Sequence, residues 1–248
     1  MSPVATSVAA GNALLASLPA AELERVSRML DERELTLAQT IATPGQPFDE
    51  ILFPVTAVCS VIVETQDRRG VEAGTIGYEG VVGLPRFLGA PSSPRRTVCQ
   101  IGGSTLFGAA SDLAAHPDTP LADAVRRYAS TFLTQAAQTA ACNRLHPLEQ
   151  RAARWLLMTD DRTAGAAFHL THEFFAIMLG AHRPSVSLAA QLLQRRGLIE
   201  YARGNVRILD RRGLEAASCE CYGVIRDDYA ATMGMALKAR REPVDSIQ

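Results

Sequence analysis

Apolar and polar positions along this chain change their period twice. From Arg33 to Ile76, apolar runs of strand length follow one another: Arg33 to Ala38, Thr40 to Ala42, Glu50 to Pro54, Val58 to Glu64 and Val71 to Ile76. Pro44-Gly45, Asp67 and Gly70 separate them, and this spacing predicts an antiparallel roll or barrel. Ahead of the strands, Asn12 to Pro19 and Ala21 to Val26 read as an amphipathic helical pair. Behind them the period lengthens. Pro117 and Pro120 precede a helical stretch, Leu121 to Arg144, that holds no Gly or Pro. Leu121, Val125, Tyr128, Phe132, Gln135, Thr139 and Cys142 recur at alternating steps of four and three, which suits either a dimer seam or a core helix packed on its own domain. Its length and its place between the roll and the segment that follows favour the seam. His146-Pro147 ends the helix and forms a hinge with Asn143 to Leu145. Leu148 to Met158 then opens a second domain, with Trp155, Leu156 and Met158 as core candidates.

Residues 170–193 read as two short helices around a tight turn. Thr171 suits an N-cap, Phe174, Phe175 and Met178 share one face, and Gly180 can adopt the left-handed conformation that ends a helix. Ala176 is small enough for two helices to cross closely. In the second helix Val186, Ala189, Ala190 and Leu193 form the apolar face, leaving Arg183, Ser185, Ser187 and Gln191 outward. Arg195 to Asp210 then holds two strand-like runs around Gly204-Asn205, a hairpin or wing.

Charge sharpens this picture. The chain of 248 residues carries −1 overall, yet Gly180 to Arg212 holds seven arginines against Glu200 and Asp210, a local charge of +5. A short, polar, basic helix face fits the DNA major groove, and a concentrated positive patch binds phosphate by counterion release. Arg183 is the expected base reader, with Ser185, Ser187 and Gln191 beside it and Pro184 in the first turn. Thr171 and His172 are placed for phosphate, and Arg203 and Arg207 for backbone or minor-groove contact from the wing.

Residues 170–215 resemble the winged helix-turn-helix of the Crp/Fnr family of bacterial transcription regulators. The resemblance rests on Leu170-Thr171, Leu179-Gly180, Arg183, Val186, Leu193, Gly197-Leu198-Ile199, Ile208-Leu209-Asp210 and Leu214. It implies an α+β fold in three parts: an N-terminal antiparallel β-roll of the cyclic-nucleotide-binding, jelly-roll type over 1–118, a dimerisation helix and hinge over 119–146, and a winged helix-turn-helix DNA-binding domain with a C-terminal tail over 147–248. It further implies a cytoplasmic homodimer on palindromic double-stranded DNA, its recognition helices about 34 Å apart, with RNA polymerase as a further partner if it activates. Members with the best-known operator carry Glu after the first Arg and another Arg four positions further. Here Pro184 and Leu188 stand there, so a different operator is expected.

Gly74 to Pro85 resembles the family's ligand-pocket segment, and Arg95-Arg96-Thr97 stands where an Arg-Ser pair meets phosphate; Gly80, Gly83, Leu84, Arg95, Arg96 and Thr97 are therefore the candidate effector residues. Gly83 matches, but Leu84 replaces the glutamate that accepts a ribose hydroxyl, and an unpaired polar group costs about 1–3 kcal/mol. Arg95 and Arg96 read either as an anion site or as a surface turn, which Pro91-Ser92-Ser93-Pro94 favours. The expectation is a degenerate pocket that does not take cyclic AMP in the usual way, its small-molecule effector unnamed.

Composition, 47% hydrophobic and 21% charged, suits two modest globular domains. Neither an apolar run of about 18 residues nor an export signal is present, so no membrane partner is expected. Cys59, Cys99, Cys142, Cys219 and Cys221 do not form a disulfide framework, and no cysteine precedes Cys59 to hold an iron–sulfur cluster as in some relatives. Cys219-Glu220-Cys221 offers two thiolates, but no second pair at zinc spacing accompanies it, so neither a metal nor a certain cofactor is expected. His169, His172 and His182 lack a companion carboxylate cluster, which argues against an enzyme. The alternative reading is a ligand-binding signalling adaptor acting through protein contacts.

Overall fold

The computed structural model describes residues 4–67, 69–235 and 237; the end of the expected C-terminal tail, residues 238–248, lies outside the described residues. Three short helices come first, α1 (Thr6–Ala9), α2 (Ala13–Ala16) and α3 (Ala20–Ser27). Asn12 caps α2 by accepting from the Leu15 amide at 3.1 Å. Its own amide donates to the Pro54 and Gly80 carbonyls at 2.8 and 3.0 Å, which ties the helices to the roll.

The roll comprises β1 (Asp31–Leu35), β2 (Thr40–Ala42), β3 (Glu50–Pro54), β4 (Val58–Glu64), β5 (Gly70–Ile76), α4 (Leu84–Phe87), β6 (Arg96–Ile101), β7 (Gly103–Ala109) and α5 (Ala110–Leu113). Its strands make two antiparallel sheets, in the orders β1-β7-β3 and β2-β6-β4-β5. Ile51, Phe53 and Leu106 from the first, with Cys59, Ile62 and Val98 from the second, are buried in the core. The pattern places the second, third and fourth strands at their observed bounds. The first ends earlier than expected, because Ala38 turns with a φ of 65°. Strands β6 and β7 are the ones the pattern does not separate, and both lie inside their sheets.

Helix α6 (Pro120–Leu145) is capped by Thr119, whose hydroxyl accepts from the Ala122 amide at 3.2 Å. After the break come α7 (Leu148–Asp160), β8 (Phe168–His169), α8 (His172–Leu179), α9 (Arg183–Arg195), β9 (Ile199–Ala202), β10 (Asn205–Ile208), α10 (Arg211–Ala217) and α11 (Cys221–Met233). Strand β10 lies between β8 and β9 in the small antiparallel sheet of the wing. His146 is extended, with φ −108° and ψ 147°, as the following proline requires.

The stripe along α6 corrects one expectation. Leu121, Val125, Tyr128 and Gln135 are fully buried within the single chain, Thr139 nearly so, and Phe132 partly. Helix α11 covers part of this face, with the Tyr229 ring 6.4 Å from that of Tyr128, and the Gln135 amide donates to the Thr75 carbonyl of β5 at 3.1 Å. These residues belong to the protomer's own core. The face that α6 leaves exposed carries Ser130, Leu133, Ala137, Ala140 and Arg144, again at steps of three and four. Periodicity alone does not tell two such stripes apart.

The second domain docks on the roll through buried polar contacts. Trp155 donates from Nε1 to Glu72 Oε2 at 2.7 Å, and Gln100 donates to Thr159 at 3.1 Å. Beyond α7, Arg162 gives Glu79 Oε1 two hydrogen bonds, from Nε at 2.9 Å and Nη2 at 2.7 Å, and neither side chain has any exposed surface.

Candidate nucleic-acid interface

The helix pair is built as its residues dictate. Thr171 accepts from the Phe174 amide at 3.1 Å and so starts α8. Gly180 ends it with φ 55° and ψ 43°, and a β-carbon there would stand 2.8 Å from Val71 Cγ2 on β5. Phe175, Ala176, Met178 and Leu179 are buried, and the Phe175 ring lies 5.1 Å from that of Trp155. In α9, Val186, Ala189, Ala190 and Leu193 are buried as the pattern predicts. With that face fixed in the core, Arg183, Pro184, Ser185, Leu188 and Gln191 point to solvent.

Several of the expected contact residues have partners of their own. Arg183 Nε pairs with Glu173 Oε1 at 2.7 Å, but both side chains are about 60% exposed, at 63% and 61%, so the pair is worth little and DNA can displace it. Ser187 is half-buried and hydrogen-bonds His172 Nδ1 at 2.8 Å, which fastens the recognition helix to the start of α8. The His172 ring stands edge-on to Tyr201 at 4.7 Å. Burial pushes the Tyr201 phenol up to about 12, and it donates to the Leu170 carbonyl at 2.7 Å. Thr171, His172 and Ser187 therefore brace the reading head. Leu188, 60% exposed on the reading face, is a residue the polar pattern does not single out.

The wing turn is one residue earlier than expected. Ala202 pairs with Asn205, so Arg203-Gly204 forms the tip, both with positive φ at 51° and 76°. Arg203 is exposed at the tip, and Arg207 is exposed on β10, opposite Glu200 in the ladder. The charge of the patch is also redistributed. Arg211 is bonded to Asp160 and Asp161 beneath the surface, and Arg196 pairs with Glu149 at 2.7 Å. Arg195, Arg203, Arg207 and Arg212 are exposed and form no ion pair among the described residues.

A second candidate site lies in the roll. A cavity of about 600 Å³ opens between β4, α4 and α6, lined by Gly83, Leu84, Arg95 and Thr97 among otherwise mostly apolar side chains. Gly80 and Arg96 do not line it. A β-carbon at Gly80 would overlap the Tyr128 ring, leaving no room for a side chain, and Arg96 turns to Glu64 at 2.8 Å as the first residue of β6. Arg95 is the cavity's one cation among the described residues, and Leu133 of α6 forms part of its wall.

Residues 150–217 match the family model of the Crp-like helix-turn-helix domain. Those residues form a Crp-like helix-turn-helix domain. Solved structures similar in fold to this chain include FixK2 from Bradyrhizobium japonicum, at 20% identity and a TM-score of 0.65, covering 77% of this chain and 98% of that one. Two transcriptional regulators from Thermus thermophilus are also similar. One, of the CRP/FNR family, has 18% identity, a TM-score of 0.64 and coverage of 76% and 98%. The other, of the CRP family, has 19% identity, a TM-score of 0.62 and coverage of 84% and 99%. No match was found among curated protein sequences. Among the described residues, no helix is long and apolar enough to cross a membrane.

Proposed function

We propose that this chain works as a homodimer that binds a palindromic operator through α9 and regulates transcription without catalysing a reaction. The observation that carries this reading is the two-sidedness of α9: its apolar face is locked in the core while Arg183, Ser185, Leu188 and Gln191 stand free for base edges. Arg183 reads guanine, and Leu188 supplies an apolar contact of the kind that meets a thymine methyl. Arg203, Arg207 and Arg195 hold phosphates, while Thr171, His172 and Ser187 set the angle of the helix. The sensor occupies 1–118, the connecting helix and hinge 119–146, and the DNA reader the rest.

In this reading the dimer seam is the exposed α6 stripe of Ser130, Leu133, Ala137 and Ala140, in which Leu133 is the apolar knob and the small Ser and Ala side chains allow close approach. The effector has an apolar body and one acidic group, held in the cavity by Arg95, because Leu84 offers a ribose hydroxyl no acceptor. Since Leu133 borders both cavity and seam, occupancy of one bears directly on the other. The test is selection from a randomised duplex pool, followed by anisotropy titration at two salt concentrations. The expected result is a palindrome bound with a steep salt dependence; binding insensitive to both sequence and salt would remove the DNA reading and leave the adaptor.

A further inference from the structure

Three of the five cysteines meet at a place that shares no residue with the interface or the cavity. Cys142 lies near the end of α6, Cys219 in the link between α10 and α11, and Cys221 at the first position of α11; all are buried and form a cluster separate from the main hydrophobic core. Cys142 Sγ stands 3.5 Å from Cys219 Sγ, and Cys221 Sγ stands 3.4 Å from His146 Nδ1. The four donor atoms all lie within 4.8 Å of one another. A tetrahedral zinc ion with Zn–S of about 2.3 Å and Zn–N of about 2.0 Å sets its donors about 3.5–3.8 Å apart, so the cluster is the size of one ion. An iron–sulfur cluster, with several metal atoms across, needs a wider ring of thiolates.

Two further features fit an ion here. His146 turns Nδ1 to the thiols while its Nε2 faces Glu220 Oε1 at 3.2 Å, and a carboxylate on the far nitrogen is how a metal-bound imidazole is oriented. Arg154 of α7 is 3% exposed, forms no ion pair among the described residues, and its Nε is buried without a partner. Its field reaches Cys142, so it favours negative charge in the cluster. The other two cysteines lie in the roll, where burial pushes both thiols up, that of Cys99 to about 11.

We propose that Cys142, His146, Cys219 and Cys221 form a structural zinc site. Binding releases the protons of the three thiols to solvent and leaves a complex of net charge −1, which Arg154 offsets. The four ligands close the coordination sphere, so the ion is structural and holds no water for chemistry. It fastens the start of α11 to the last turn of α6, next to the His146-Pro147 break.

The test uses the full chain, reduced and stripped of metal, titrated with Co²⁺ and then Zn²⁺. The expected result is one equivalent of Co²⁺ bound, with thiolate-to-metal charge transfer in the near ultraviolet, intense tetrahedral visible bands, and displacement by one equivalent of Zn²⁺. Cys59→Ser/Cys99→Ser should keep this signal and Cys219→Ser/Cys221→Ser should lose it, with circular dichroism confirming the fold of each. Glu220 is largely exposed, so Glu220→Gln should fold normally and weaken zinc binding roughly 10–100-fold. Weak octahedral cobalt bands, a signal that survives loss of Cys219 and Cys221, or a Cys142–Cys219 disulfide in place of metal would overturn the proposal.

Discussion

Replacing Glu79 with Gln tests whether sensor and reader are held together by charge. Glu79 Oε1 accepts from the Gly77 amide at 3.1 Å and twice from Arg162, with no exposed surface on either side chain. As hydrogen-bond partners Arg162 keeps only neutral carbonyls besides, Met158 at 2.7 Å and Thr75 at 3.5 Å, while Asp161 acts on it through charge alone. Glu79→Gln therefore leaves a buried guanidinium without a hydrogen-bonded carboxylate, and breaking such a pair from one side costs about 3–5 kcal/mol. At roughly 2–4 °C per kcal/mol for a chain of this size, the midpoint should fall on the order of 10 °C. Urea unfolding followed by fluorescence reads this directly, because Trp155 is the one tryptophan and sits on the same domain boundary. Glu79→Leu/Arg162→Met, which removes both charges, should recover most of the loss. A loss below about 1 kcal/mol, or a double variant as unstable as the sum of the singles, would refute the reasoning.

Arg183→Ala should cost roughly 1–3 kcal/mol at the selected operator and blur its preference; equal weakening on every duplex would remove Arg183 as a base reader. Leu133→Glu should leave far-ultraviolet circular dichroism unchanged and shift sedimentation from dimer to monomer, whereas an unaltered dimer would place the seam elsewhere. Gly180→Ala should lose about 1–3 kcal/mol in denaturant titration, because it combines a positive φ with a 2.8 Å approach to Val71; an unchanged midpoint would show that α8 lifts off β5 without cost.

What the sequence makes legible is local order. Thr171, Gly180 and the spacing of Val186, Ala189 and Leu193 specify α8 and α9 because caps and helical period act over a few residues. Three strands of the roll were equally readable, since burial on alternating or continuous runs marks them. The destination of a face is not local. The stripe from Leu121 to Thr139 met α11 and β5, which lie up to about a hundred positions away, instead of a second protomer. Arg96 and Gly80 failed as pocket residues for the same reason: a strand partner claims one and Tyr128 the other. The Cys219-Cys221 pair is not linked to its partners in the sequence because Cys142, 77 residues from Cys219, and His146, 75 from Cys221, join it only through the packing of α11.

That packing also bears on how the chain is made. Tyr128 rests against Tyr229, and Cys142 against Cys219, contacts of very long sequence separation. Such topologies fold slowly, since loop closure precedes the contacts that reward it. On the ribosome, the inner face of α6 emerges about a hundred residues before the helix that covers it, and its apolar rings stay uncovered for that interval. Late translation is thus the interval in which that face stays open to non-native contacts.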